Sequence, residues 1–369
     1  MHIISGGDSG GAKTHVLTLL SELNKSIDIT LLCVMESIFT EEAVELGINT
    51  KVISQKNRFD IGSIKKIKSF ILKEDFDIVH CHGARANYIA TILKLMGLKK
   101  PYITTVHSDY LLDFSDQLYK KVVFTNINKF ALKRFQYFFA VTKSHKKMLE
   151  DRGFKNKKIY TIYNGIDAKE ELEYQHKVDF LKEHNVPNKE DYVYVGLCGR
   201  LDYVKGIDIF INTCKLLEKE KIIFLIAGTG DEKDKYFAMK KELNIDNLYF
   251  LGFVKDVNSF YNAIDINTLA SLSESFPYAL LEGGLMKKAT IASKVGGVPE
   301  MIEDNKDGFL FKSGDSEDFA KKIMVLVNDE SKRNELAMNF NQKVVNEFSK
   351  EKMRNTHLEI YEEIIKEWR

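Results

Sequence analysis

The chain has 369 residues, of which 44% are hydrophobic and 29% charged, and its formal net charge is +1. That is enough apolar material for two globular cores, and the balance excludes a disordered or collagen-like chain. No run of about 18 apolar residues is present to span a bilayer as a helix.

Met1-His-Ile-Ile-Ser5 enters a strand without a basic and then apolar leader, so a cytoplasmic location is expected. Strand-like runs follow at Ile27–Val34, Thr50–Ser54, Asp77–His82, Pro101–His107, Tyr137–Thr142 and Lys158–Tyr163. Amphipathic helices lie between them, among them Val16–Leu23, Ile61–Glu74 and Arg85–Met96. Strands alternating with helices predict a parallel, doubly wound sheet over residues 1–167. A polar stretch after Asn164-Gly-Ile-Asp167 reads as the domain boundary. Alternation resumes with strands at Tyr192–Cys198, Ile222–Ala227, Leu248–Phe253, Ile264–Leu269 and Ala289–Ser293, and with helices at Ile207–Lys219 and Asp231–Leu243. Residues 168–349 are therefore expected to form a second Rossmann-like α/β domain. The chain reads as helices from Ser316 onward, the last of them over 350–369.

The small net charge conceals an asymmetry, with +8 in residues 1–168 and −7 in the remainder. Much of the basic excess lies in 99–158, interleaved with Tyr119, Phe124, Phe130, Phe135, Tyr137 and Phe138. Such a face suits an anionic membrane or a phosphorylated acceptor, although its aromatics can equally pack inward. Nothing resembles an element for nucleic-acid readout. Cys33, Cys81, Cys198 and Cys214 stand singly in apolar runs, as reduced, packed thiols do. In His80-Cys-His82, strand alternation puts both imidazoles on one face and the thiol on the other, and no metal is expected there.

Open α/β sheets bind ligands at the carboxyl ends of their strands, so the loops there carry the candidate chemistry. The glycine-rich turn Gly6-Gly-Asp-Ser-Gly-Gly-Ala-Lys-Thr-His15 follows the first strand, and its amides suit an anion. His107 ends the fifth strand, with Asp109 beside it. Cys198-Gly-Arg-Leu-Asp-Tyr-Val-Lys-Gly206 places Arg200 and Lys205 before a helix, where cations are unfavourable unless an anion is bound. A diphosphate meets that requirement, gripped bidentately by Arg and as a point charge by Lys. Glu274 and Glu282 flank Phe276-Pro277, and Pro277 is expected at the first helical position. The amides of Tyr278, Ala279 and Leu280 would then form a seat for phosphate, beside two acids suited to sugar and ribose hydroxyls.

The string Glu-Ser-Phe-Pro-x4-Glu, followed by Val-Gly-Gly-Val-Pro-Glu300, resembles the E-x7-E signature of the family 4 retaining glycosyltransferases of the GT-B fold. Gly10, Gly11 and His15 match that family's G-G-x-x-x-H-V turn, and Gly199 to Gly206 its G-R-L-x-x-x-K-G motif. The resemblance implies two Rossmann-like domains facing across a cleft, with the terminal helix returning to the first. It also implies a nucleoside-diphosphate sugar as donor, with a UDP-sugar favoured, and no cofactor or metal. The acceptor would be a hydroxyl of a glycan or lipid-linked substrate, and the protein would sit at most peripherally on the membrane. His107, Arg200, Lys205 and Glu274 would act in transfer. Gly10, Gly11, Gly228, Gly230, Val254, Phe276, Tyr278, Ala279, Leu280 and Glu282 would bind the donor, and His15 and Asp109 the acceptor. In relatives a glycine often stands where Pro277 does here. A nucleotide-sugar 2-epimerase of related fold and a non-catalytic nucleotide-sugar-binding subunit are the alternatives. A dehydrogenase fits less well, since the only acid near the next strand's end is Glu36.

Overall fold

The computed structural model describes residues 1–7, 10–111, 118–169 and 172–369, with side chains from 118–124 outside the description. The chain divides into two compact units, one of residues 1–165 with 350–369 and the other of 166–349.

The first unit runs β1 (His2–Ile4), α1 (Gly11–Leu23), β2 (Leu31–Cys33), α2 (Ile38–Glu45), β3 (Thr50–Val52), α3 (Ile61–Glu74), β4 (Val79–His82) and α4 (Gly83–Leu95). It continues through β5 (Tyr102–Val106), α5 (Leu118–Leu132), β6 (Tyr137–Ala140), α6 (Lys143–Leu149) and β7 (Lys158–Thr161). These strands form one parallel sheet in the order β3-β2-β1-β4-β5-β6-β7. Because β1 pairs with both β2 and β4, the winding reverses between β1 and β4. Local signals set many boundaries. The Asp60 carboxylate caps α3 by accepting from the Ser63 amide at 3.2 Å, and Asp75 ends the helix in the left-handed region at φ 48°. The helix at the glycine turn begins at Gly11, earlier than Val16, with Gly10 before it at φ 66°.

In the second unit α7 (Lys177–Glu183) is followed by β8 (Val193–Cys198), α8 (Ile207–Leu216), β9 (Ile222–Ala227), α9 (Lys233–Glu242), β10 (Leu248–Gly252) and α10 (Val257–Ala263). Then come β11 (Ile266–Leu269), α11 (Tyr278–Leu285), β12 (Ala289–Ser293), α12 (Val298–Met301), β13 (Phe309–Phe311), α13 (Ser316–Asn328) and α14 (Glu330–Glu347). The parallel sheet has the order β10-β9-β8-β11-β12-β13, and its winding reverses between β8 and β11. Two elements differ from the sequence reading. The stretch taken as boundary contains α7, whose Phe180 and Leu181 are buried, and β13 adds an edge strand. Both are short, and neither carries enough periodicity to stand out.

α15 (Lys350–Trp368) belongs to the first unit, where Met353, Tyr361 and Ile364 are buried with the apolar side chains of α1, β1 and β2. The buried Glu22 carboxylate of α1 receives Lys25 at 2.5 Å, and Lys350 and Arg354 of α15 each at 3.4 Å. In the basic segment Phe135, Tyr137 and Phe138 face the core. Phe130 is exposed with Arg134 over its ring, while Tyr119 and Phe124 lie outside the described side chains. Three of the aromatics named for a membrane face are therefore packing residues.

One side of the β1-β4-β5 sheet carries a cluster of imidazoles, all buried except the half-buried His107. His80 and His82 share a face, their centroids 4.6 Å apart, while Cys81 joins the core on the other side. His2, His15, His107 and His357 complete the cluster. Burial, reinforced by mutual repulsion, holds His2, His80, His82 and His107 well below the usual imidazole range. It lowers His15 to about 4 and His357 to about 3. Between about pH 6.5 and pH 4 the unfolded chain thus binds protons that the folded unit refuses, so stability falls with pH in that window. At pH 5 each such ring contributes a loss of roughly 2 kcal/mol. A clearly lower urea midpoint at pH 5 than at pH 7.5 is expected, and equal midpoints would contradict the neutral cluster.

Candidate functional site

The switch point of the second sheet gathers most of the candidate donor residues. Loops leave β8 and β11 side by side, and backbone contacts lock them together. The Leu272 amide donates to the Val204 carbonyl at 2.8 Å. Gly206 sits at φ 62°, where a Cβ would lie 2.2 Å from the Ala270 carbonyl oxygen. Only glycine fits there. Lys205 ends a 3₁₀ turn, Tyr203–Lys205, that Asp202 caps by accepting from the Lys205 amide at 3.2 Å. From that position the Lys205 ammonium reaches Glu274 Oε1 at 2.5 Å, and the Ser271 hydroxyl donates to the same oxygen at 2.7 Å. The pair is mostly sheltered, its side chains 22% and 10% exposed.

Loops after β9 and β12 brace this pair from either side. At Gly228 and Gly230 added Cβ atoms would fall 1.8 Å from the Gly199 carbonyl oxygen and 2.5 Å from that of Leu201. The Gly199 and Leu201 amides in turn donate to Ala227 and Thr229 at 2.9 Å. These two glycines thus have a packing reason independent of any ligand. Gly296, at φ 49°, lies against the Glu274 carbonyl, which also accepts from the Gly297 amide at 3.3 Å.

Glu282 projects from the second turn of α11. Burial raises its carboxyl above the usual range, opposed by the Tyr261 hydroxyl 2.9 Å from Oε2. The Asn267 side-chain amide donates to the Ala279 carbonyl at 3.0 Å. An added Cβ on Gly283 would lie 2.2 Å from Asn267 Nδ2, and one on Gly284 would press into Phe340 and Val344 of α14. The Gly283-Gly284 pair therefore lets α11 lie flat between β11 and α14.

Several expectations need correction. Pro277 precedes the helix with φ −73° and ψ 127°, so it is the capping residue and Tyr278 the first helical one. The Leu280 amide is not open to an anion, because it donates to the Pro277 carbonyl at 3.2 Å. Tyr278 and Ala279 are the first two residues of the helix. Arg200 is 69% exposed and pairs with Asp202 at 2.9 Å, on its own loop rather than with the Lys205–Glu274 pair. Phe276 is buried against Phe348 and the Val254 side chain packs in the core beside Tyr261, which leaves untouched the expectation that their backbone groups meet the donor.

In the first unit a cavity of about 290 Å³ opens at the carboxyl ends of β4 and β5. Its lining includes His82, Asn87, Thr105, His107, Ser108 and Asn128. His107 lines this cavity from the end of β5. His15 is not an accessible acceptor contact. It is buried, its Nδ1 lies 2.8 Å from Asn164 Oδ1, and its ring meets that of His107 edge-on at 4.7 Å. Asp109 is also engaged, both oxygens held by the Arg152 guanidinium at 2.5 and 2.7 Å, which keeps its carboxyl below the usual range. Gly10 and Gly11 are exposed at the start of α1 with no atom crowding an added Cβ. Two groups of three imidazoles, His2, His80 and His82, and His15, His82 and His107, have nitrogens within 4.8 Å of one another. The facing nitrogens of His2 and His82 are 3.0 Å apart, and those of His82 and His107 3.2 Å. Those are hydrogen-bond lengths, shorter than the roughly 3.4 Å between two tetrahedral zinc ligands.

Sequence reading missed Ser271 and Tyr261 as supports of the two acids, and Asn267 as a tether of α11. Ser271 carried a signal in its place at a strand end, whereas Tyr261 lies in an ordinary amphipathic helix and carried none.

Comparison with known proteins bears on the whole chain. Residues 9–170 match the family model Glycosyltransferase Family 4, and residues 178–343 match Glycosyl transferases group 1. The N-acetyl-alpha-D-glucosaminyl L-malate synthase of Bacillus anthracis is 24% identical over 88% of this chain and 84% of its own length. The N,N'-diacetylbacillosaminyl-diphospho-undecaprenol alpha-1,3-N-acetylgalactosaminyltransferase of Campylobacter jejuni is 25% identical over 95% of both chains. Among solved structures, Anabaena HepE in complex with UDP aligns with a TM-score of 0.84 at 18% identity, over 98% of this chain and 99% of that one. With family 4 and group 1 models matching its successive halves, on two doubly wound sheets, the chain belongs to the family 4-like glycosyltransferases of the GT-B fold.

Proposed function

We propose that the protein transfers a sugar from a nucleoside-diphosphate sugar to a hydroxyl of a glycan or lipid-linked acceptor, with retention of anomeric configuration and without metal. The observation that carries this reading is the meeting of Lys205, Glu274 and the start of α11 at the switch point of the second sheet. An ammonium ion and a helix N-terminus attract a diphosphate, and a carboxylate beside them accepts from sugar hydroxyls. Arg200, exposed on the same loop, swings from Asp202 to the diphosphate when donor binds. Glu282, half-buried and backed by Tyr261, accepts from the ribose hydroxyls. Retention rests on family resemblance.

In the reaction the bond from the anomeric carbon to the phosphate oxygen breaks, and its electron pair stays with the diphosphate. The acceptor oxygen forms the new bond and its proton passes to a phosphate oxygen. Charge grows on the diphosphate, and Arg200 and Lys205 stabilise it from positions set before the reaction begins. A UDP-sugar is the favoured donor, since HepE, alike in fold, was crystallised with UDP and with UDP-glucose. The Campylobacter relative's name specifies a diphospho-undecaprenol acceptor, and the basic excess of residues 1–168 suits such an anion. None of the described helices is long and apolar enough to cross a membrane. Peripheral attachment at the inner membrane face fits an acceptor of this kind.

Replacing Glu274 by Gln and Arg200 by Ala, each alone, is expected to lower kcat/KM by about tenfold or more with folding intact, given roughly 1.5–3 kcal/mol per charge-assisted bond. Transfer at the wild-type rate by both variants would remove the assignment. UDP at a hundredfold excess over its Kd should stabilise the protein by about 2.7 kcal/mol. A melting temperature indifferent to every nucleoside diphosphate tried would contradict the donor site. Transfer is also expected to proceed unchanged in excess EDTA, and its abolition would refute the metal-free scheme.

A further inference from the structure

The buried rings of the first unit form a single file. Thr105 Oγ1 lies 2.7 Å from His80 Nε2, and His80 Nδ1 lies 2.5 Å from the Tyr361 hydroxyl of α15. That hydroxyl is 3.3 Å from His2 Nε2, His2 Nδ1 is 3.0 Å from His82 Nε2, and His82 Nδ1 is 3.2 Å from His107 Nε2. Each of these ring nitrogens faces one neighbour in the file, the Tyr361 hydroxyl faces two, and the file ends at the cavity wall. His15 and His357 stand beside it, tied through Nδ1 to Asn164 and to the Met353 carbonyl.

A neutral imidazole carries one N–H and one lone pair, so each link works only if one partner donates and the other accepts. Two arrangements satisfy all five links and also give the Tyr361 hydroxyl proton an acceptor, with every proton pointing toward His107 or every proton pointing away. Any other arrangement sets two N–H groups or two lone pairs face to face, or leaves the Tyr361 O–H without an acceptor, and so forfeits a buried hydrogen bond. Link lengths distinguish the two. An O–H donor makes a shorter bond than an N–H donor. The 2.5 Å link therefore reads as Tyr361 donating to His80, and the 3.3 Å link as His2 Nε2–H donating to Tyr361. Protons then point away from His107 throughout.

We infer that this relay fixes the tautomer of His107, with the proton on Nε2 and the lone pair on Nδ1, and that Tyr361 is the positioning residue that sets its direction. His107 would accordingly meet a substrate hydroxyl as an acceptor. That last consequence rests on the proposed role of His107 in transfer, whereas the tautomer itself rests on the ring geometry alone.

The test is nitrogen-15 NMR of the full-length protein labelled at histidine, which distinguishes Nδ1–H from Nε2–H, combined with steady-state transfer kinetics. In the wild type His107, His82 and His2 are expected as Nε2–H. Tyr361→Phe keeps the packing, removes both links of the hydroxyl, and should leave His107 as a mixture of tautomers, with kcat reduced about tenfold and donor KM little changed. Thr105→Val removes the far end of the file and serves where Tyr361→Phe is unstable. His107 as Nδ1–H in the wild type, or a His107 tautomer that neither variant alters, would overturn the relay. A tautomer shift without a change in kcat would uphold the relay and overturn the role given to His107 in transfer.

Discussion

The second unit depends on backbones meeting at distances that no side chain permits. Four loops leave the carboxyl ends of β8, β9, β11 and β12, and glycines at 206, 228, 230 and 296 stand where a Cβ would overlap a neighbouring carbonyl. Removing those four Cβ atoms lets loops distant in sequence brace one another by main-chain hydrogen bonds. Lys205 and Glu274 are then held by their surroundings rather than by their own rotamers, as preorganised charge stabilisation requires. In this chain the motif glycines are first a packing device, and whatever they do for a ligand is built on that.

Two acids at one switch point have different environments. Glu274 sits in a lattice of donors, with Lys205 and Ser271 on the same oxygen. Glu282 lies deeper, with Tyr261 as its neighbour and burial raising its carboxyl. A carboxylate matched by a cation and one stripped of water suit different partners, the first a site where charge shifts and the second a hydroxyl pair held in place. α11 can present both because Gly283 and Gly284 let it press against β11 and α14.

The first unit solves another problem. Six imidazoles in one interior would repel one another if charged, and desolvation keeps them neutral. Neutral rings can exchange hydrogen bonds, and all five links of the file join residues at least 25 positions apart in the chain, the His80–Tyr361 link spanning 281. α15 is thus more than a covering helix, since it brings Tyr361 into the file and Lys350 and Arg354 onto Glu22.

Strand and helix alternation, the glycine turns and the order of charged residues at strand ends were legible in the sequence because they are local. Periodicity, turn chemistry and capping act within a few residues, so α3, β9 and β12 begin and end where the pattern says. The family and its two doubly wound sheets followed from those signals. Tertiary structure decided what each side chain faces: His15 turned inward to Asn164, Asp109 closed by Arg152, the Leu280 amide taken by Pro277, and Arg200 held on its own loop. It also decided Tyr261 beneath Glu282 and Tyr361 within the imidazole file. Local sequence sets where an element starts and which face is apolar, whereas the partner of a polar group depends on elements tens or hundreds of residues away, and that pairing exists only once the sheets have formed.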